Sequence, residues 1–308
     1  MAQQTNHFYH DKPFFADRVS LLAYAVSVLH RRVKMGVEML EKFSGLPSYF
    51  VKSCYSKDNT LTSNTIKIGT LQEYRSTEDE QIADINEGIY SININFSNIH
   101  MPPHLASFLL CTNQSTSAGH IHLIEGKTKS FISSDIFHYG KFIGDFSWTH
   151  HNRFIFCMTG TNNINDAGNI FPLYDDFWVI ERKKIMASFS YLLKDFIKEI
   201  KQRLRCGEHI FYNQETIDKI EDIEFNTTFQ KVIYQPRIAN YGNREYYQDP
   251  TLLQRIHEEI PFTKPKKYEP ESEYRWFIDV TANGISLEPR IRHVIMSSDN
   301  YSRFLRKG

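Results

Sequence analysis

Apolar side chains recur along the chain with the two periods that distinguish helices from strands. Residues 14–43 and residues 183–205 carry them three or four positions apart, with polar and charged residues between them. That spacing predicts amphipathic helices, because it places the apolar side chains on one face. Gly207 follows the second segment, as expected just after a helix C-terminus. A shorter helix is predicted at 251–259.

Strands are predicted where short apolar segments alternate with polar residues or run almost without interruption. Residues 153–160 form such an uninterrupted run, which is typical of a strand buried on both faces. The remaining strand predictions are 65–71, 88–99, 119–126, 177–181, 229–238 and 273–280.

The order of these elements predicts the fold class. Strands and helices do not alternate regularly, so a doubly wound parallel sheet is not expected. The sequence instead predicts an α+β fold with a mixed, mostly antiparallel sheet, the long amphipathic helix 183–205 and an N-terminal helix. We predict an N-terminal helical segment over 1–60 and a single α+β, catalytic-like domain over 61–300.

The charge balance and the cysteines narrow the class of protein. Lys and Arg together number 36, as do Asp and Glu, so the chain as a whole attracts neither nucleic acid nor an anionic membrane. A nucleic acid remains an alternative target, although the sequence has no basic segment typical of nucleic-acid binding. The N-terminal apolar run is shorter than the ~20 residues that a membrane span needs. The four cysteines form no C-x-x-C pair, so we expect free thiols and a cytoplasmic protein.

Several familiar catalytic motifs are missing from the sequence. It contains no phosphate-binding loop, no G-x-G-x-x-G, no H-E-x-x-H and no G-x-S-x-G. His120 and His122 stand two positions apart on one predicted strand, a spacing that can chelate a metal. No further His, Asp or Glu follows at a recognisable spacing. We therefore interpret them as a surface pair and predict no metal site.

Tyr74 and Arg75 stand at the predicted end of strand 65–71. An arginine there can hold a phosphate bidentately, and a tyrosine can stack on a ring or bond to it. We interpret the acidic residues that follow as a solvated turn and helix start, the alternative being a cation site without EF-hand spacing. These acidic residues are Glu78, Asp79, Glu80, Asp84 and Glu87.

Glu271 and Glu273 precede the apolar part of strand 273–280. Residues two apart at a strand start face the same side, so one carboxylate can hold a ribose hydroxyl and stabilise an oxocarbenium-like centre while the other orients a nucleophile. The alternative is a charged edge in which Glu273 pairs with Arg275 or a neighbouring strand. Thr159 is a further candidate, because its hydroxyl ends the buried strand 153–160 beside an expected ligand crevice. The alternative is that the Thr159 hydroxyl only satisfies the end of the strand.

The order of these candidates resembles the arginine–serine–glutamate class of ADP-ribosyltransferases. The resemblance implies that Arg75 clamps the phosphates of NAD and that Thr159 stands where that class has a serine. It also implies that Glu273 is the catalytic glutamate and Glu271 its partner. The sequence departs from the class in lacking an S-T-S motif and in continuing Glu273 with Tyr274 and Arg275.

A second resemblance spans about residues 65–280. The blocks "IGTLQEYRSTEDEQIADINEG", "FIFCMTG" and "YEPESEYRWFI" resemble an uncharacterised bacterial family met in defence-island and abortive-infection loci. This resemblance implies an antiviral setting and a toxin held in check by an antitoxin or a defence-complex protein. It implies no particular chemistry.

Three hypotheses for the function follow from these candidates. The first is an ADP-ribosyltransferase-like toxin that uses NAD and an unknown acceptor, with Glu273, Glu271 and Arg75 catalytic and Tyr74, Arg75 and Thr159 binding NAD. The second is a non-catalytic sensor or scaffold of an anti-phage complex, in which the arginine and glutamate blocks form internal ion pairs. The third is a metal-dependent nuclease built on the acidic residues of 78–87 with His120 and His122.

Overall fold

The computed structural model describes residues 45–77, 83–102, 105–106 and 137–308, together with 119–128, where it describes the main chain alone. Residues from Pro47 to Gly308 group into one unit by their contacts. The predicted helix at 14–43 lies outside the described residues. Strand β1 (Tyr49–Cys54) belongs to the main sheet, although it falls within the predicted N-terminal segment 1–60.

The strands and α-helices of the described residues have the following bounds. The other strands are β2 (Thr65–Thr70), β3 (Ile89–Met101), β4 (Gly119–Thr128), β5 (Phe137–His150), β6 (Phe154–Thr161), β7 (Asp176–Glu181), β8 (Glu224–Lys231), β9 (Ile233–Tyr234), β10 (Ile238–Gly242), β11 (Thr263–Lys264), β12 (Glu273–Ala282), β13 (Ile285–Ser286), β14 (His293–Ser297) and β15 (Arg306–Lys307). The helices are α1 (Thr60–Ser63), α2 (Leu71–Ser76), α3 (Ala167–Ile170), α4 (Ile185–Arg205), α5 (Asn243–Gln248) and α6 (Leu252–Glu259).

The main sheet contains nine of the described strands and is antiparallel throughout its pairings. Its centre is the pair β6 and β12, which runs in register from Thr159–Glu273 to Phe154–Ile278. Successive side chains of a strand point to opposite faces. The two faces of this pair therefore carry different residues and contact different parts of the molecule.

One face of the pair packs against helix α4. The ring of Phe154 lies 5.0 Å from that of Phe196, and Trp276 stacks on Phe189 at 5.0 Å with the planes 2° apart. The apolar side of α4 is buried from Ile185 to Leu204, as its spacing predicts. Burial of this stripe is what holds the helix on the sheet. The opposite face of the pair carries Cys157, Thr159, Glu273 and Arg275.

A second sheet has its own core. Its order is β10–β3–β5–β4, with β10 parallel to β3 and the other pairs antiparallel. Phe96, Trp148 and Tyr241 are buried between this sheet and helix α6, which contributes Leu253 and Ile256.

The structure confirms the α+β class, the mostly antiparallel sheets and the long helix. Two element predictions are wrong. The segment 229–238 is not one strand but parts of β8, β9 and β10, and Pro236 lies in the gap, where it can donate no ladder hydrogen bond. Tyr74 and Arg75 lie on helix α2 rather than at a strand end, because the Thr70 hydroxyl caps that helix by accepting from the Glu73 amide at 3.3 Å.

Strand β5 was not predicted. Its buried residues alternate with more exposed ones from Phe142 through Phe146 to Trp148, which is the period of a half-buried strand. Gly140 and Gly144 interrupt the apolar pattern, and these glycines obscure the strand in the sequence. No helix among the described residues has the length and hydropathy required to cross a membrane.

Candidate functional site

A cavity opens where the main sheet divides. Strands β1 and β2 pair with the same edge of β6, β1 at Thr159–Thr161 and β2 at Phe154–Ile155. The segment Phe156–Met158 lies between these two pairings. A cavity of about 490 Å³ lies over it, lined by residues of β1, β2, β6 and α2. That volume falls in the range of small-molecule sites.

Four of the candidate residues predicted from sequence line this cavity. They are Tyr74, Thr159, Glu271 and Glu273. Thr159 pairs in register with Glu273 on one side and with Val51 on the other, so its place follows from the sheet. The structure thus brings together residues that are almost 200 positions apart in the chain.

Arg75 is not among the residues that line the cavity. Its guanidinium donates to the carbonyl oxygens of Glu87 and His150. Gly88, between the loop and β3, has a φ of +67°, and a Cβ there would lie 2.9 Å from Nη2 of Arg75. Arg75 therefore fixes the loop that carries Glu87 to the end of β5, and its guanidinium binds main-chain carbonyls outside the cavity.

Glu271 and Glu273 share one cation at the cavity wall. Lys264 Nζ lies 2.6 Å from Glu271 Oε2 and 2.6 Å from Glu273 Oε2. The other oxygen of Glu273 accepts from Nε of Arg275 at 2.6 Å. Ser272, between the two glutamates, adopts the left-handed conformation with a φ of 43°, and this turn lets both carboxylates reach Lys264.

The two carboxylates have opposite electrostatic surroundings. Burial raises the pKa of Glu271 to about 7, and the charge of Glu273 adds to the rise although Lys264 opposes it. Burial also acts to raise the pKa of Glu273, but the positive charges of Arg275 and Lys264 outweigh burial and hold it well below its ordinary value. Glu273 stays ionised, whereas Glu271 can exchange a proton near neutral pH.

A buried ion network lies behind Glu273. Arg275 binds both oxygens of Glu87, at 2.7 and 2.9 Å, and also donates to the carbonyl oxygen of Pro261. Arg237 binds both oxygens of Asp84, at 2.9 and 2.7 Å. Asp84 and Glu87 are therefore buried ion-pair partners, which corrects the prediction of a solvated turn for these two positions. Glu78, Asp79 and Glu80 lie outside the described residues.

These contacts also bear on the metal and nuclease predictions. Asp84 is engaged by Arg237, and the side chains of His120 and His122 lie outside the described residues. In the part of the chain that the structure describes, no three His, Cys, Asp or Glu side chains are grouped to hold a metal ion.

Lysines and aromatic rings line the rest of the cavity. Lys52 of β1 and Lys67 of β2 face it from the two strands that diverge. Tyr55 and Tyr174 meet edge to face at 5.0 Å, and Phe171 lies 6.0 Å from Tyr174. A cavity with cations and rings of this kind suits an anionic ligand that carries a planar group.

Two thiols line the cavity, those of Cys54 and Cys157, and burial raises the pKa of Cys54 to about 11. Burial raises the pKa of Cys157 to about 12, with a further rise from the charge of Glu273, so the thiolate is not formed near neutral pH.

Gly160, the residue after Thr159, does not line the cavity. A Cβ at Gly160 would lie 2.5 Å from the ring of Tyr274 and 2.6 Å from Pro47, so this glycine allows close packing.

Sequence reasoning missed Lys52, Lys264 and Arg237. Lys52 could have been found from the sequence. A lone lysine inside the apolar segment "YFVKSC" seldom lies in a strand without a partner or a ligand. No sequence pattern identifies Lys264 as a site residue, because it lies in a proline-rich segment without periodicity. Its position follows from the short parallel pairing of β11 with β9.

Comparison with known proteins finds no similarity to report: no family model, no curated protein and no solved structure matches this chain.

Proposed function

We propose that the protein cleaves the bond between nicotinamide and ribose in NAD and transfers the ADP-ribosyl group to a nucleophilic acceptor. The observation that carries this proposal is the pair Glu271 and Glu273 at the cavity wall, with pKa values displaced in opposite directions. Carboxyl pairs displaced in this way commonly divide acid–base and charge-stabilising roles between them.

The two glutamates have different roles because their carboxyl groups differ in pKa. Glu273 stays ionised and stabilises the positive charge that develops on the ribose as nicotinamide leaves. The C1′–N bond breaks, and its electron pair leaves with nicotinamide, which becomes neutral. The acceptor oxygen bonds to C1′, and its proton passes to the carboxylate of Glu271, which acts as general base. Water serves as acceptor when no other is bound.

The remaining cavity residues would hold the substrate. Tyr74 and Thr159 face the cavity and offer hydroxyls to the ribose, and the rings of Tyr55 and Tyr174 offer stacking surfaces for a base. In this proposal Arg75 supports the loop of Glu87 instead of binding NAD. The setting of an antiviral toxin with a protein partner in the cytoplasm is part of the proposal and rests on the sequence resemblance alone.

The test is nicotinamide release and label transfer from labelled NAD, with purified protein alone and with bacterial lysate. We expect Glu271→Gln to lower the rate by about 10²–10⁴-fold, as loss of a general base does. Glu269→Gln is the matched control, because Glu269 is exposed on the same turn as Glu271, and it should keep the wild-type rate. If the wild-type protein neither releases nicotinamide nor transfers label, the proposal fails.

A second candidate function is a non-catalytic scaffold, favoured by the ion network itself. Each oxygen of Glu273 contacts a cation, and Arg275 holds Glu87 bidentately. Such a network can serve stability and fold specificity alone. The labelled-NAD experiment separates the two candidates, since a scaffold gives equal, zero rates for the wild type and for Glu271→Gln.

A further inference from the structure

Lys52 is a cation that lines the cavity without a carboxylate partner among the described residues. Its Nζ donates to the carbonyl oxygen of Cys157 at 3.0 Å and lies 5.4 Å from the centre of the Phe156 ring. An ammonium carries three donors, so this arrangement leaves donors for a ligand. The carbonyl is available because Cys157 lies between the pairings of β1 and β2 on that edge of β6.

The other cations of the cavity are neutralised by protein groups. Lys67 pairs with Glu73 at 3.2 Å, and Lys264 binds Glu271 and Glu273. Glu273 is the carboxylate that raises the pKa of Lys52 most, but it already contacts Arg275 and Lys264. Among the residues that the structure describes, Lys52 therefore differs from its neighbours because no carboxylate pairs with it.

A charge inside a protein is normally paired, because its removal from water is unfavourable. Burial lowers the pKa of Lys52, which is the expected direction for a cation that has lost solvent without gaining a carboxylate. A negatively charged ligand group beside Nζ would remove this penalty.

We propose that Lys52 is the anion anchor of the cavity and holds a phosphate group of a nucleotide. The anchor lies in the cleft between β1 and β2, and the aromatic residues Tyr55 and Tyr174 line the same cavity, so phosphate and base can bind together. The assignment of the ligand as a nucleotide rests on the proposed function. The shared chemistry is an anion whose oxygens accept hydrogen bonds from Nζ, and a carboxylate is the competing source.

The test compares AMP with adenosine by titration calorimetry at low salt, with inorganic phosphate and acetate as separate competitors. AMP has no nicotinamide bond to cleave, so binding can be measured whether or not the protein turns NAD over. We expect the wild type to bind AMP roughly tenfold or more tighter than adenosine, the advantage of a charge-assisted hydrogen bond. Phosphate should displace AMP at lower concentration than acetate.

Lys52→Met should abolish the advantage of AMP and leave adenosine binding unchanged. Lys52→Gln should do the same while keeping a donor for the Cys157 carbonyl, and it decides the matter if the methionine variant does not fold. Lys67→Met should keep most of the advantage because Glu73 already neutralises that lysine. Lys231→Met, at an exposed position of β8, is the control outside the cavity.

The proposal is overturned if the wild type binds AMP no tighter than adenosine, if no binding of either is detected, or if the folded Lys52 variants keep the advantage. Displacement by acetate as effective as that by phosphate would identify a carboxylate ligand and also overturn it. Phosphate binding through Lys52 without turnover of NAD would leave this inference standing and refute the proposed function.

Discussion

Glu271 and Glu273 stand two positions apart, yet their carboxyls have different neighbours. Glu273 contacts two cations, whereas Glu271 contacts one of them and also faces the charge of Glu273. This difference sets one pKa well below its ordinary value and the other near 7. In the proposed reaction this difference makes Glu271 the group that accepts the proton, although the sequence resemblance implies that Glu273 is the catalytic glutamate.

This assignment predicts the pH dependence of NAD cleavage. Glu271 must be deprotonated to accept the proton of the nucleophile, so kcat/KM should rise as the pH rises through about 7. The measurement is nicotinamide release at subsaturating NAD between pH 5.5 and 8.5. The Glu269→Gln control should show the same rise, and a rate that falls over this interval would assign Glu271 the opposite role, that of an acid.

At the scale of elements, Arg275 joins strand β12 to the loop before β3. It binds the carboxylate of Glu87, while Arg75 binds the main chain of the same residue. Two arginines that are 200 positions apart thus hold one loop residue. The loop thus supplies the carboxylate that pairs with Arg275 of β12.

Arg275→Met should destabilise the protein by about 3–5 kcal/mol, because it leaves Glu87 and Glu273 buried without their main partner. The measurement is the free energy of unfolding from urea titration. Arg205→Met is the control, since Arg205 pairs with Glu221 at the surface with side-chain exposures of 56% and 68%. Such a pair contributes about 0–1 kcal/mol, and equal losses in the two variants would show that the buried network adds no more than a surface pair.

The elements show which parts of the structure a sequence pattern determines. Helix α4 was predictable because its buried residues repeat at the helical period, and strands β6, β7 and β12 because each is a short, almost uninterrupted apolar run. Strands β9 and β11 have two residues each, too few for any period, yet β11 carries Lys264. Thr159 and Glu273 were correct candidates for the cavity wall, and the pairing of Glu273 with Arg275 was foreseen as an alternative, but Lys264 comes from a segment that only tertiary pairing brings near.

Arg75 illustrates why the rest could not be predicted. The motif of an arginine beside a tyrosine was visible, but the direction of a side chain at a strand end depends on whether the strand continues. The Thr70 cap starts helix α2 at Leu71, and this turn points Arg75 towards main-chain carbonyls. No local pattern distinguishes a guanidinium that binds carbonyls from one that binds phosphate.

For the whole molecule, the buried His150 contributes to the dependence of stability on pH in the acid range. His150 lies at the end of β5 with its ring 5.6 Å from that of Phe277 and its Nδ1 2.9 Å from the carbonyl oxygen of His151. Burial, with a smaller effect of the Arg153 charge, lowers the pKa of His150 to about 3. The unfolded chain therefore binds a proton below about pH 6.5 that the folded chain does not bind.

The sign of the effect follows from this difference in protons bound. The contribution of His150 is constant above pH 6.5 and falls as the pH decreases from there towards about 3. Glu271 acts in the opposite direction. Its pKa is raised to about 7 in the folded chain, so at a pH between its ordinary pKa and about 7 the folded chain binds more protons than the unfolded chain. A single pH curve of the wild type mixes these effects, so a variant is needed to isolate the histidine.

His150→Phe should make the free energy of unfolding less dependent on pH between 6.5 and 4.5. The difference between wild type and variant should change by up to about 1.4 kcal/mol per pH unit, the value for one proton. Glu271 is present in both proteins and cancels from that difference. His209→Phe, at an exposed position, should follow the wild-type curve, and a His150→Phe curve parallel to it would show that this histidine is protonated equally in the folded and unfolded chain.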